Sequence, residues 1–249
     1  MKKIINLILI LGSLTLNADN LFLYDKSNKI EISDIRDNKL SVFTNVIGKT
    51  YSLKNSLSVV TDTNANCVYV LPHEIAILQQ EITSVYFTGD IIKYHNDFTI
   101  PSVVKIKESL FNLSLNGELY VVSKNTNQNT IGTSMANILF ENAKLFIKSG
   151  DKYTHVYVVE GKCIVLDSKS SKKKKELKQN DYLVITPQIT LSPREGVVKS
   201  SGNSFSTKDV EEDEALTHKK QSDDLQSKLD NTLFVNYDTN IFGFKLRLP

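Results

Sequence analysis

Between Leu119 and Leu166 four strand-like runs follow one another with little between them: LYVVS, TSMANILF, AKLFIK and YTHVYVVEGKCIVL. That density of β-branched and aromatic residues, broken by short polar or glycine-bearing connections, confines the stretch to extended chain. Its last run carries the sharpest pattern. Tyr153 to Val159 alternates with a period of two, Glu160-Gly161 interrupts, and Lys162 to Leu166 resumes, which reads as a β-hairpin. With a two-residue loop, Val158 faces Cys163 and Val156 faces Val165 on one side, while Tyr157 faces Ile164 and His155 faces Leu166 on the other. Glu160 is poorly suited to the positive φ that a primed turn needs, so a type I turn with a glycine bulge and a shifted register is the rival. Both faces of the ribbon are largely apolar, which suits the middle of a sandwich or stacked sheet better than an edge.

GELYVV (Gly117 to Val122), IGTSMANI (Ile131 to Ile138) and THVYVVEGKCIV (Thr154 to Val165) resemble, in order and spacing, the FecR-domain family of bacterial envelope proteins. In that family a Gly-Glu strand is followed by a Gly-Thr strand, a Val-x-x-Gly-x-Val hairpin and a strand carrying a small-Gly pair. ELKQNDYLVITP (Glu176 to Pro187) stands in the fourth place, with Asn180-Asp181 where the family has that pair. The resemblance covers about residues 109–189 and implies an all-β extracytoplasmic module, with little said about chemistry.

The chain begins with Lys2 and Lys3, an apolar run from Ile4 to Leu16 and a small residue at Ala18. This is the tripartite form of a secretory signal. The run is shorter than the roughly 20 residues that span a bilayer, so cleavage after Ala18 is expected, with uncleaved anchoring as the alternative because Leu16 is large for its place. Export to the periplasm follows. From Asn20 to Ser123 short strands recur (LFLYD, KIEIS, KLSVFT, SLSVV, CVYVL, SVYF, IIKY, SVVKI), separated by Asn, Asp, Ser, Lys and Gly clusters that make turns. The run after Pro72 fits strand or helix, and its alternating Ile75 and Ile77 favour strand. The expected fold is mainly β, an antiparallel jelly-roll-like sandwich or alternatively a short β-solenoid, with one short helix near the C-terminus.

Five regions are expected: a signal peptide over 1–18, an N-terminal β region over 19–108 packed on the FecR-like part, and the FecR-like β domain over 109–198. A polar linker over 199–231 follows, bearing one weak helix from about Asp209 to Leu229, and a β-hairpin tail over 232–249 ends the chain. Acidic residues early in that helix and Lys219, Lys220 and Lys228 later suit its dipole.

Thirty basic residues stand against 28 acidic ones, a net charge of +2, so no global field favours nucleic acid. Lys172, Lys173, Lys174 and Lys175 form a local run between two strands, read as a solvated hairpin tip or as a contact for an anionic surface or acidic partner. No aromatic residue interleaves it, which disfavours nucleic acid further. Phe242 and Phe244 in the terminal tail are candidate partner contacts by strand addition, against a tail that folds back on the domain.

The four histidines (His73, His95, His155, His218) are isolated, with no metal-ligand spacing. Thr133 has no base beside it in sequence, and Glu118, Asp90 and Asp181 are carboxylates that only the fold could pair. No catalytic residue, metal site or cofactor is therefore expected. Cys67 and Cys163, an even pair in an exported chain, are a candidate disulfide, against buried free thiols. The expected function is a non-catalytic binding or signalling module in the envelope, acting on another envelope protein. A structural part of an envelope assembly and a glycan hydrolase are the alternatives. With only Met1, Lys2 and Lys3 before the apolar run, the chain is not expected to be a transmembrane sigma-factor regulator itself.

Overall fold

The computed structural model describes residues 20–36, 39–43, 47–53, 56–71, 74–87, 112–170, 173–191 and 198–232. The strands expected at IIKY and SVVKI, the expected leader and the expected terminal hairpin lie outside these residues. Strands β1 (Asn20–Ser27), β2 (Ile30–Arg36), β3 (Lys39–Phe43), β4 (Thr50–Ser52), β5 (Ser56–Thr61), β6 (Asn66–Leu71), β7 (Ile75–Gln79) and β8 (Ser84–Phe87) form the N-terminal half. A long strand, β9 (Asn112–Ser123), leads to β10 (Asn129–Gly132), β11 (Ala136–Phe140), β12 (Ala143–Gly150), β13 (Tyr153–Glu160) and β14 (Lys162–Asp167). Then come β15 (Lys174–Lys178), β16 (Tyr182–Leu191), β17 (Val198–Lys208) and the helix α1 (Glu212–Asp230).

The strands make two sheets that share β9. Sheet A runs β4-β1-β6-β7-β9-β12-β13-β16-β17. Sheet B runs β3-β2-β5-β8-β9-β10-β11-β14-β15. All pairs are antiparallel except β9 with β10. From β3 and β4 the chain lays its strands down progressively inward to β9 and then progressively outward to β15 and β17, passing between the sheets as it goes. The winding is thus solenoid-like in progress while the product is a sandwich.

β9 can serve both sheets because it turns at Gly117. Residues up to Asn116 pair in sheet B and residues from Gly117 onward pair in sheet A. Gly117 has φ +119°, and a Cβ there would stand 2.3 Å from Thr83 Oγ1 and 2.6 Å from Thr83 Cα, so only glycine fits this backbone. The turn keeps Leu113, Leu115, Leu119 and Val121 all facing one interior. That interior lies between the sheets, with Tyr69, Ile77, Ile147 and Val156 from sheet A meeting Ile32, Val59, Ile138 and Val165 from sheet B. Continuous burial across alternate positions of so many strands is the main stabilising term of such a fold.

The ribbon expected at Glu160-Gly161 is not a hairpin. β13 pairs with β12 and β16 in sheet A, and β14 pairs with β11 and β15 in sheet B. Gly161 (φ +84°) carries the chain from one sheet to the other, against the β11–β12 connection, where an added Cβ would meet the Asn142 carbonyl oxygen at 2.6 Å. Val156 and Val158 therefore share one core with Cys163 and Val165 without being strand neighbours. The apolar alternation was real, and its cause is burial on both sides of β13.

One further stretch differs from expectation. Val198–Lys208, read as linker from residue 199 onward, is a strand of 11 residues paired with β16; its Ser and Lys content hides a strand with one face on solvent. The helix spans Glu212–Asp230 and buries His218, Ser222, Leu225 and Leu229. That stripe, not the hydrophobic Leu216, which is 64% exposed, covers the outer face of sheet A. Ile75–Gln79 is strand, as its alternation favours.

Candidate functional site

The outer face of sheet A under α1 gathers the most chemically capable side chains among the described residues. Tyr120 on β9, Phe146 on β12 and Tyr157 on β13 point outward from adjacent strands because they alternate with the core residues beside them. His218, 6% exposed, fits among them. Its ring stacks on Phe146 at 4.3 Å and lies 5.1 Å from Tyr157. Its Nδ1 is 2.9 Å from the Tyr120 hydroxyl. Its Nε2 is buried without a hydrogen bond, and the nearest carboxylate oxygen, Glu214 Oε1, is 3.7 Å away. Burial pushes the His218 pKa below its usual 6.5, against the opposing charges of Glu214 and Glu118. Tyr120 is pushed up to about 12 by burial and by the same two carboxylates.

A second pair sits beyond the helix start. His155 Nδ1 is 2.9 Å from the Tyr182 hydroxyl, and Tyr153 meets the imidazole edge-on at 5.3 Å. Burial, then Lys148 and Lys208, lower the His155 pKa. Both described histidines are thus hydrogen-bonded to tyrosines, and no group of three or more His, Cys, Asp or Glu is placed to hold a metal ion among the described residues. His73, His95 and Asp90 lie outside them.

Around the helix, basic residues of the sheet side meet acidic residues of α1. Lys208 Nζ is 3.2 Å from Glu214, Lys144 Nζ is 2.7 Å from Asp223, and Lys124 pairs with Asp230. Glu118 is engaged by Lys148. Asp181 accepts from the Lys178 N–H at 2.7 Å and holds the β15–β16 turn. There Asn180 takes φ +69°, a conformation that asparagine tolerates where glycine would be expected. Thr133 is likewise structural: its hydroxyl bonds the Ala136 backbone and accepts from Thr154 at 2.8 Å.

The lysine run divides. Lys172 lies outside the described residues; Lys173 is in the β14–β15 connection, and Lys174 and Lys175 are strand residues of β15. Lys173 bonds the Asn203 carbonyl and lies over the Phe205 ring, 4.9 Å from its centre. Asn203 is fully buried, donating from Nδ2 to Met135 O (2.8 Å) and Asp167 Oδ1 (2.9 Å), with its N–H on Asp167 Oδ2 (3.2 Å). This clip joins the β14–β15 loop of sheet B to β17 of sheet A and closes the C-terminal side of the sandwich. Along β15, Lys178 stands directly opposite Lys162, and Lys174 opposite Leu166. All three lysines are exposed. Phe242 and Phe244 lie outside the described residues.

Cys67 and Cys163 are free and buried. The candidate disulfide is not present in the structure, where Cys67 lies on β6 of sheet A and Cys163 on β14 of sheet B with both thiols free. Burial pushes the Cys67 thiol well up and Cys163 up to about 12.

Sequence reading missed His218 as part of a ring cluster because Tyr120, Phe146, Tyr157 and His218 are far apart in the chain. The available signal was the spacing of His218, Ser222, Leu225 and Leu229, one stripe at i, i+4, i+7 and i+11.

No protein-family model matches the chain, and no curated protein matches it. Two crystal structures from Parabacteroides distasonis ATCC 8503, each of a proposed anti-sigma factor, are similar to it. One shares 14% identity at a TM-score of 0.42, covering 62% of this chain and 61% of that one. The other shares 15% identity at a TM-score of 0.40, covering 61% and 60%. The chain thus spans about three-fifths of the length of each.

Proposed function

We propose that the chain is an exported, non-catalytic binding or signalling module of the FecR-domain type, acting through protein–protein contacts in the cell envelope. The motif order from Gly117 to Pro187 and the leader-like Met1 to Ala18 support the class and the compartment. Three groups able to do acid–base chemistry are held by neighbours: His218 by Tyr120, His155 by Tyr182 and Glu118 by Lys148.

One observation carries the contact surface. Lys162 and Lys178 are directly opposed at the exposed edge of sheet B, with Lys174 farther along the same outward face beyond Glu176. Like charges placed opposite one another destabilise a sheet pair, so an acidic partner surface would relieve a repulsion that the free domain bears. The same lysines hinder strand addition at β15, and Asp167 and Lys173 occupy the Asn203 N–H and carbonyl on β17. At β15, recognition is therefore by charge on the face of the edge and not by an added strand.

The test is crosslinking of the tagged full chain in its own cells, compared with K162E/K174E/K178E, after osmotic-shock fractionation. The expected result is a mature chain in the shock fluid and one crosslinked species that the triple variant loses. A chain retained in the cytoplasm ends the export reading, and a crosslinked species unchanged in the variant ends the basic-edge reading.

A further inference from the structure

The helix and the sheet face beneath it are unequal partners. The sheet offers a continuous apolar strip that includes Val68, Val70, Leu78, Val122, Tyr157 and Val159. The helix answers with a buried four-residue stripe in which Leu225 and Leu229 are apolar, joined by the part-buried Ala215 and, just before the helix, Val210. The other two members of the stripe leave His218 Nε2 and Ser222 Oγ buried without hydrogen bonds, a desolvation that for Nε2 is offset only by Glu214 Oε1 at 3.7 Å. Much of what aligns the helix is electrostatic: Glu214, Asp223 and Asp230 meet Lys208, Lys144 and Lys124, which rim the strip along its length. These acidic side chains are partly exposed, so the pairs are weak and sensitive to salt. Glu211, at the helix start, makes no side-chain cap, and three residues, Asp209 to Glu211, join β17 to α1.

An apolar strip with a basic rim is complementary to an acidic amphipathic helix, and the resident helix meets that description imperfectly. We propose that the outer face of sheet A is a helix-docking site, held in cis by α1, which yields to an acidic amphipathic helix of a partner protein. The incoming helix would place apolar residues where His218 and Ser222 now sit and keep carboxylates in register with Lys208, Lys144 and Lys124. This is helix-in-groove recognition on a sheet face, with the cis helix lowering the apparent affinity by the fraction of time it covers the site. The surface lies on sheet A and is separate from the basic edge of sheet B proposed above.

The probe is a fluorescent peptide of residues 209–232 carrying H218L and S222L, titrated into the full chain by anisotropy. The competitor in cis is weakened with L225D, which places a charge in the buried stripe. L225D should bind the peptide at least about tenfold more tightly than the unaltered chain does, and added salt should weaken that binding. The same peptide with L225S and L229S should not bind. Equal affinity for L225D and the unaltered chain, with the β-sheet circular dichroism of both intact, overturns the proposal. Should L225D lose that signal, E214K/D223K/D230K replaces it and decides on the same criterion, since those residues touch the sheet only through their charges.

Discussion

Gly117→Ala tests whether the turn in β9 is what allows one strand to serve two sheets. Three effects act together. An L-residue at φ +119° costs about 1–3 kcal/mol in backbone strain. The new methyl group would overlap Thr83 at 2.3 Å from Oγ1 and 2.6 Å from Cα; because Cα is backbone, the β7–β8 connection must move, at about 1–3 kcal/mol. Moving Thr83 also weakens its hydroxyl's bonds with Glu118 N (2.8 Å) and Glu81 O (3.0 Å), about 1 kcal/mol more. Together these amount to about 3–7 kcal/mol, a large share of the 5–15 kcal/mol that typically holds a domain folded. Gly48→Ala is the control: Gly48 has φ +82° but nothing within 4 Å of an added Cβ, so it carries the backbone strain alone, about 1–2 kcal/mol. Urea denaturation followed by far-ultraviolet circular dichroism gives both values from midpoints and slopes. If Gly117→Ala falls within about 1 kcal/mol of Gly48→Ala, the close approach to Thr83 is not a constraint and the reasoning fails.

Asn203→Ala removes the clip between the β14–β15 loop and β17, leaving Met135 O and Asp167 short of a buried donor. A loss of about 2–4 kcal/mol is expected by the same denaturation assay, and a change under about 1 kcal/mol would refute the clip. The pKa values of His218 and His155 are lowered from 6.5, so the unfolded chain binds more protons than the folded one just below that pH. Stability should be full above about 6.5 and fall as the pH drops below it, and the fall in Tm should be smaller in H218Q; a Tm independent of pH from about 7.5 to about 5.5 contradicts this. Cys67 and Cys163 should resist iodoacetamide at neutral pH until the chain is unfolded, because burial holds both as neutral thiols; modification of the native chain at the rate of a free thiol would show the core to be open.

The period-two alternation in LYVVS, AKLFIK and YTHVYVV is a local property of extended chain, and runs of this kind placed most of the described strands, though not β4 or β17, and made the fold mainly β. The short helix was legible too, from its acidic start and spaced leucines. Pairing was not. Alternation says that a residue is buried, but not whether a neighbouring strand or a facing sheet buries it, so Val158 and Cys163 read as hairpin partners when they meet across the sandwich. The same limit hid the strand Val198–Lys208, whose partner β16 compensates for a weak local preference. It also hid the ring cluster. His218 is an isolated polar residue in sequence, and only the docking of α1 on Tyr120, Phe146 and Tyr157 buries it, because contacts between distant segments leave no periodic trace in either.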